Sequence, residues 1–369
     1  DYSIVTVLPE PVVCLPQDSF ISSSSSSSED KFTWKHALLL VEMLLLTLSV
    51  MYVEMSVVPA LPLISKQYSE FSAWTPWCLS AYNIVGGIWT PIAGSAAGIY
   101  GIKWVSLMSL SLYVAGQRAR ALSRTIWVLT AFRGMQGFGM AMFTLCFSTI
   151  KAVFPKRIIP IALGTVSSMF SVGLGLGLVG GAATISGLIQ TTRWEYLFFV
   201  SMPVIILLII AFFFTLPSIQ GRPGGRIDVI GAIVLTIGVF SLLIGLTLSE
   251  TLGWTHPAVI TLIVVGPVVL VVFVLLEAFV IKHPLVNIRL FISRNILLIN
   301  LATFLVGFGI FSLYQLLPYV YTYNYGITSH VSIGLLMLPI GISQLVTSPL
   351  AAVVAKRVGF LSLIHISEP

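Results

Sequence analysis

Two ionisable residues lie deep inside apolar stretches of this chain: Glu54 and Arg133. Placing such a side chain at the centre of a membrane helix costs about 2.5–3.5 kcal/mol, so its retention points to a function. Glu54 falls beyond the middle of its stretch and Arg133 before the middle of one running the opposite way. At ~1.5 Å rise per residue, both sit roughly 6–8 Å outward of the midplane. An acid and a base at matching depth can satisfy each other. The chemistry would be proton exchange: a proton on Glu54 frees Arg133 to rearrange, giving two states. The alternative is a static ion pair that pins two helices together.

Other residues are candidates on weaker grounds. Gly173, Gly177 and Gly181 recur every four residues, with Gly180 beside them, and small residues at that spacing let helix backbones approach closely. They form either a flexible seal against a helix of another bundle or close packing alone. Trp77, Tyr82, Asn83, Trp89, Phe143, Tyr314 and Gln315 are large or polar residues within apolar spans. Aromatics lining a cavity would suit a lipophilic or cationic ligand. Glu42 and Glu277 lie near span ends, where reaching the interface is the simpler reading. Glu195, beside Arg193 and Trp194, reads as an interfacial helix start. Cys14, Cys78 and Cys146 are scattered, and the five histidines are dispersed. This is neither a disulfide framework nor a metal site, and no cofactor is expected. No acids share a helix face at catalytic spacing, so an enzyme is not expected.

The elements that position these residues are membrane helices. Only 9% of residues are charged and 57% are hydrophobic, and the mean hydropathy is +1.01. A soluble domain carries about 25% charged residues, so the bilayer must be this chain's solvent. The net charge of +6 then reports cytoplasmic loops rather than nucleic-acid binding. Apolar runs predict helical spans at 37–64, 74–97, 102–122, 126–150, 159–186, 195–216, 229–249, 257–281, 296–321 and 331–355. Placing the N-terminus in the cytoplasm puts most loop lysines and arginines inside, among them Lys151, Arg157, Arg226 and Lys282. Lys66, Arg118, Arg120, Arg124 and Arg193 then fall outside. The cluster from Arg118 to Arg124 implies either a short third helix with snorkelling arginines or a non-native local sequence.

A repeat adds a count. Thr90-Pro91-Ile92-Ala93-Gly94, leading to Gly101, closes the second span. Ser348-Pro349-Leu350-Ala351-Ala352, leading to Gly359, closes the tenth with the same Pro-to-Gly spacing. A duplicated six-helix bundle would repeat it after the eighth span, so two extra helices are expected between the halves. That arithmetic implies fourteen helices, of which this chain carries ten. Residues 1–34, with a serine run from Ser22 to Ser28, read as a disordered tail. The string from Leu361 to Pro369 resembles translated adapter sequence, so 361–369 is expected to be non-native.

Several stretches, in order, resemble the major facilitator superfamily, specifically its 14-helix drug:proton antiporter branch. Gly94 to Lys103, with Gly98 and Gly101, is similar to the loop 2–3 signature G-x-L-A-D-R-x-G-R-K. Arg133, Gln136 and Gly137 resemble the helix 4 signature R-x-x-Q-G. Gly173 to Gly181 resembles the helix 5 antiporter signature. Arg193-Trp194, Phe198-Phe199 and Pro203 look like the start of helix 6, and His283 to Phe291 like the loop between spans 8 and 9. There are departures. The loop 2–3 Asp and Arg positions hold Gly98 and Ile99, the helix 5 Pro position holds Gly177, and the helix 1 Asp position aligns with Val53, one residue before Glu54.

The resemblance implies an all-α polytopic membrane protein with the major facilitator fold: two six-helix bundles plus two central helices, truncated after helix 10. Residues 35–216 would be the first bundle, 217–281 the inserted pair and 282–360 the first two helices of the second bundle. It implies a proton-coupled secondary transporter exporting amphipathic or cationic drug-like compounds by alternating access. The alternative within transport is a carrier or symporter for a metabolite; a polytopic enzyme or receptor is a more distant one. Partners would be a small-molecule substrate, protons and membrane lipids. Location in the plasma membrane, a cytoplasmic N-terminus and a monomer are expected.

Overall fold

The computed structural model describes residues 33–61, 64, 67, 68, 74, 77–120, 125–183, 196–219, 221, 227–281, 284–327 and 330–358. All the long elements among them are helices: α1 (Trp34–Ser56), α2 (Trp77–Tyr100), α3 (Ile102–Arg120), α4 (Ile126–Gly137), α5 (Ala141–Val153), α6 (Ile159–Ala183), α7 (Tyr196–Thr215), α8 (Val229–Leu252), α9 (Pro257–Phe279), α10 (Arg294–Tyr323) and α11 (His330–Val358). Five of them contain stretches long and apolar enough to cross a membrane: Trp34–Ala60, Ile159–Ala183, Val229–Ser249, Pro257–Phe279 and Arg294–Tyr314. The expectations for the terminal tails and for Lys66, Arg193, Arg226 and Lys282 fall on residues outside those described.

Local chemistry sets the helix ends. Thr125 accepts from the Val128 amide at 3.4 Å to start α4, and Asp228 accepts from the Gly231 amide at 2.9 Å to start α8. Side-chain acceptors at these positions satisfy amides that have no partner in the first turn. Pro257 opens α9, where a missing N–H costs nothing. Gly253, with φ of 81°, ends α8 in a conformation that side-chain-bearing residues avoid. α1 ends at Ser56, and the apolar span continues through a 3-10 turn at Val58–Ala60 that contains Pro59. The third helix reaches Arg120, and Arg118 is exposed.

Span 4 is the main departure from an unbroken helix. Phe138–Met140 form a 3-10 turn between α4 and α5. Gly137 and Gly139 flank and enter that turn, and glycine is a poor helix former. Both are held by close neighbours. A Cβ on Gly137 would meet the Tyr82 carbonyl at 2.5 Å, and one on Gly139 the Tyr113 ring at 2.5 Å.

Glycine contacts also fix the relative helix directions. Gly173, Gly177 and Gly181 of α6 face Leu48, Tyr52 and Ser56 of α1 in the same order, so these helices run parallel. Arg133 and Gly137 of α4 meet Cys78 and Tyr82 of α2 in the same order, so these helices are also parallel. Gly238 and Gly245 of α8 face Leu270 and Leu262 of α9, an antiparallel hairpin, and α8 packs on α2. On α11, Gly334 faces Val179 near the end of α6, so α6 lies between α1 and α11.

The interior has two apolar clusters at opposite ends of α1. One gathers Leu39, Met43, Leu46, Ala93, Leu145, Cys146, Ala162 and Phe212. The other gathers Val50, Val53, Tyr82, Tyr113, Leu174, Leu178, Tyr314, Ile333 and Met337. The second includes α10 and α11, and the ionisable candidates lie within it.

Candidate functional site

Along α1 the buried residues Leu39, Glu42, Met43, Leu46, Val50, Val53 and Glu54 recur every three or four positions, while Leu38, Val41 and Leu45 are exposed. That periodicity turns one face inward and carries both acids with it. Glu54 is 2% exposed, and neither carboxyl oxygen has a hydrogen-bond partner.

Arg133, on α4, is fully buried. Its Nε donates to the Cys78 carbonyl of α2 at 2.8 Å, and an Nη donates to Gln136 Oε1 at 2.8 Å. The guanidinium carbon lies 4.7 Å from the centroid of the Tyr82 ring. Glu54 is near enough for its charge to be felt at Arg133, but no hydrogen bond joins the two: both Glu54 oxygens and one Arg133 Nη lack a partner, so the acid and base do not satisfy each other directly as expected. The guanidinium is therefore held by a carbonyl, an amide and an aromatic face, with Glu54 as the nearby opposite charge.

The R-x-x-Q-G spacing explains the division of labour. Positions i and i+3 lie on one helix face, so Gln136 reaches back to Arg133. Gly137, at i+4, faces the same neighbour. With no side chain it lets α4 meet α2 backbone to backbone, and a Cβ there would also lie 2.9 Å from the Gly86 amide nitrogen. That approach puts the Cys78 carbonyl and the Tyr82 ring within reach of Arg133.

The other motif residues have separate places. Gly101 takes φ of 91° between α2 and α3, and a Cβ on it would lie 2.6 Å from the Ile219 carbonyl. Lys103 lies 4.8 Å from the Phe213 ring of α7. Among the described residues, nothing lies within 4 Å of where a Cβ on Gly94 or Gly98 would be. Gly180 faces the Tyr52 ring. The four glycines of this motif thus face α1; elsewhere on α6, Val179 meets Gly334 of α11.

The aromatic and polar candidates divide. Tyr82 joins Arg133. Tyr314 is buried in the cluster that also contains Val53 and Tyr82. Phe143 packs against Phe147 and Phe170, with centroids 4.5 and 4.9 Å away. Trp89 donates to Ser109 at 2.9 Å and meets Phe138 edge-on at 5.0 Å, so its polar edge is engaged with α3. Trp77 lies 6.1 Å from Trp74. Asn83 donates to the Leu79 carbonyl at 3.4 Å. The side chain of Gln315 is outside the described residues.

Two acids differ from expectation. Glu42 is 4% exposed and accepts from Thr215 of α7 at 2.5 Å rather than reaching an interface. Its place in register with Leu39, Met43 and Leu46 was the signal that could have placed it inside. Glu277 is 3% exposed and accepts from the Val286 amide at 3.1 Å. Among the described residues, no group of three or more His, Cys, Asp or Glu could hold a metal ion.

Apolar helices that alternate in direction around a buried charged cluster define an integral membrane protein of the carrier type. Residues 43–367 match the Major Facilitator Superfamily, and the chain belongs to that family of membrane transporters, which are not enzymes. It is similar to the efflux pump dotC of Dothistroma septosporum (strain NZE10 / CBS 128990), 31% identical over 290 residues, covering 76% of this chain and 48% of the relative. It is also similar to the multidrug resistance protein B homolog of Mycobacterium tuberculosis (strain CDC 1551 / Oshkosh), 26% identical over 293 residues, covering 79% and 54%. The chain therefore spans about half the length of these relatives. The crystal structure of the human organic anion transporter MFSD10 (TETRAN) is similar over 86% of this chain and 85% of that one, at 14% identity and a TM-score of 0.44.

Proposed function

We propose that the full-length protein is a proton-coupled exporter of amphipathic or cationic drug-like compounds, working by alternating access in the plasma membrane with its N-terminus in the cytoplasm. The observation that carries this reading is the Glu54–Arg133 cluster. Arginine keeps its charge at any accessible pH, so Glu54 is the member of the pair that can take up and release a proton. Its oxygens have no hydrogen-bond partner, so no donor locks it as a carboxylate. A change of charge beside Arg133 alters what the guanidinium attracts, and Arg133 ties α4 to α2. Two relatives named as an efflux pump and a multidrug resistance protein support the export of drug-like compounds.

In the same reading α1 to α7 form the first bundle, α8 and α9 an inserted hairpin, and α10 and α11 the first two helices of a second bundle in a fourteen-helix plan. The test is Glu54→Gln in the full-length protein. Gln keeps size and polarity but cannot exchange a proton. Efflux of a fluorescent cation from vesicles under a pH gradient should fall to background, with substrate binding and membrane insertion retained. Wild-type export by Glu54→Gln would show that Glu54 belongs to a static pair.

A further inference from the structure

The α8–α9 hairpin carries two acids at one end. Asp228 caps α8, where its Oδ1 accepts from the Gly231 amide at 2.9 Å. Glu277 lies in the last turn of α9, and its Oε2 accepts from the Val286 amide, on the connection to α10, at 3.1 Å. Each carboxyl thus commits one oxygen to a backbone amide. The other two oxygens, Asp228 Oδ2 and Glu277 Oε1, are buried without a hydrogen-bond partner. They face each other: both lie within 2.5 Å of where a Cβ on Gly231 would be, so only glycine at 231 leaves room for them. The two side chains are within hydrogen-bonding reach, yet carboxylate oxygens only accept.

The surroundings supply no cation. Glu277 is 3% exposed. It is the one charged residue of α9, and α2, which packs on α8, carries no acid, base or histidine. The other acid of α8, Glu250, is at its far end, and Arg294, the one charged residue of α10, is exposed. The side chains of Arg226, Lys282, His283 and Arg289 are outside the described residues. Two carboxylates that share a site cannot both ionise at little cost. One proton between the orphan oxygens resolves the conflict, and the Gly231, Leu285 and Val286 amides hold the one remaining negative charge.

We propose that Asp228 and Glu277 share one proton, forming a second proton-binding site that closes the base of the hairpin onto the connection to α10. The site does not depend on the export reading or on Glu54. When the proton leaves to water, the two carboxylates repel, Glu277 turns away from Asp228, and the Val286 amide loses its acceptor. This end of the hairpin is opposite Trp254, and the proposed orientation places it in the cytoplasm.

The test uses the full-length protein in lipid vesicles and two conservative variants. Glu277→Gln and Asp228→Asn each put an amide donor where the proton lies, so both keep the hairpin closed. The infrared carbonyl stretch of one protonated carboxyl should appear in the difference between wild type and either variant at neutral pH, because one proton serves both acids. A second measurement reads the connection. Hydrogen exchange over residues 284–290, compared at matched pH, should be equal in wild type and Glu277→Gln at about pH 7 and about tenfold faster in wild type at about pH 9. A carboxyl band unchanged in either variant would overturn the shared proton. So would loss of the wild-type band on adding sodium, potassium or magnesium at neutral pH, which would make the pair a metal-cation site. Equal exchange in wild type and Glu277→Gln at about pH 9 would overturn the closure onto the connection.

Discussion

Arg133 is fully buried, and its guanidinium meets a carbonyl, an amide oxygen and an aromatic face with Glu54 nearby, while one Nη has no hydrogen-bond partner. Removing it leaves Glu54 buried without its opposite charge, the kind of change that costs about 3–5 kcal/mol. Arg133→Ala should therefore lower the thermal stability of the detergent-solubilised protein markedly and abolish export. Arg133→Lys keeps the charge but not the planar fork that serves Cys78 and Gln136 together. It should recover part of the stability and little of the export rate, measured in the same two assays. Stability and export both at the wild-type level in Arg133→Ala would remove this residue from the site.

α1 and α6 pack closely through glycines. A Cβ on Gly177 would lie 2.5 Å from the Tyr52 carbonyl and 2.9 Å from Met55 Cβ. Those contacts are too short to keep, and the backbone carbonyl on one side cannot rotate away as a flexible side chain would. Gly177→Ala must push the helices apart, and overpacking of this sort costs about 1–3 kcal/mol. The expected result is a lower apparent Tm. Because Glu54 lies on the same stretch of α1, between Tyr52 and Ser56, the pH dependence of export should change as well. An unchanged Tm would mean that α1 and α6 do not pack through these glycines. The 3-10 turn that breaks span 4 lies between Arg133 and Phe143, so a change of pitch there would move both residues relative to each other.

At the scale of the whole molecule, the glycine registers fix which helices run parallel, and the loop charges propose which end faces the cytoplasm. Trp254 lies at the tip of the α8–α9 hairpin and is exposed, and Lys156 and Arg157 lie exposed on the connection between α5 and α6. In the proposed orientation these positions are on opposite sides of the membrane. A cysteine at 254 should react with an impermeant reagent applied to whole cells, and one at 157 should react only after permeabilisation. Labelling at 157 but not at 254 would invert the orientation.

Composition and periodicity alone determined that this is a helical membrane protein, roughly where its helices lie, and that Glu54 and Arg133 lie inside apolar stretches. Those properties depend on local hydrophobicity and on a rise per residue that every helix shares. The order of several motifs determined the family. Which faces meet was left to the tertiary structure, because that depends on rotation about each helix axis and on the choice of neighbour, and a nearly uniform apolar span encodes neither strongly. The structure turned Glu42 inward to Thr215 rather than out to the interface. It aimed the helix 5 glycines at α1, and it used Trp89 to join α2 to α3. It also supplied the partners of Arg133: Gln136 shared its motif, but the Cys78 carbonyl and the Tyr82 ring lie more than fifty residues earlier in the chain and come within reach only because Gly137 lets α4 lie directly on α2.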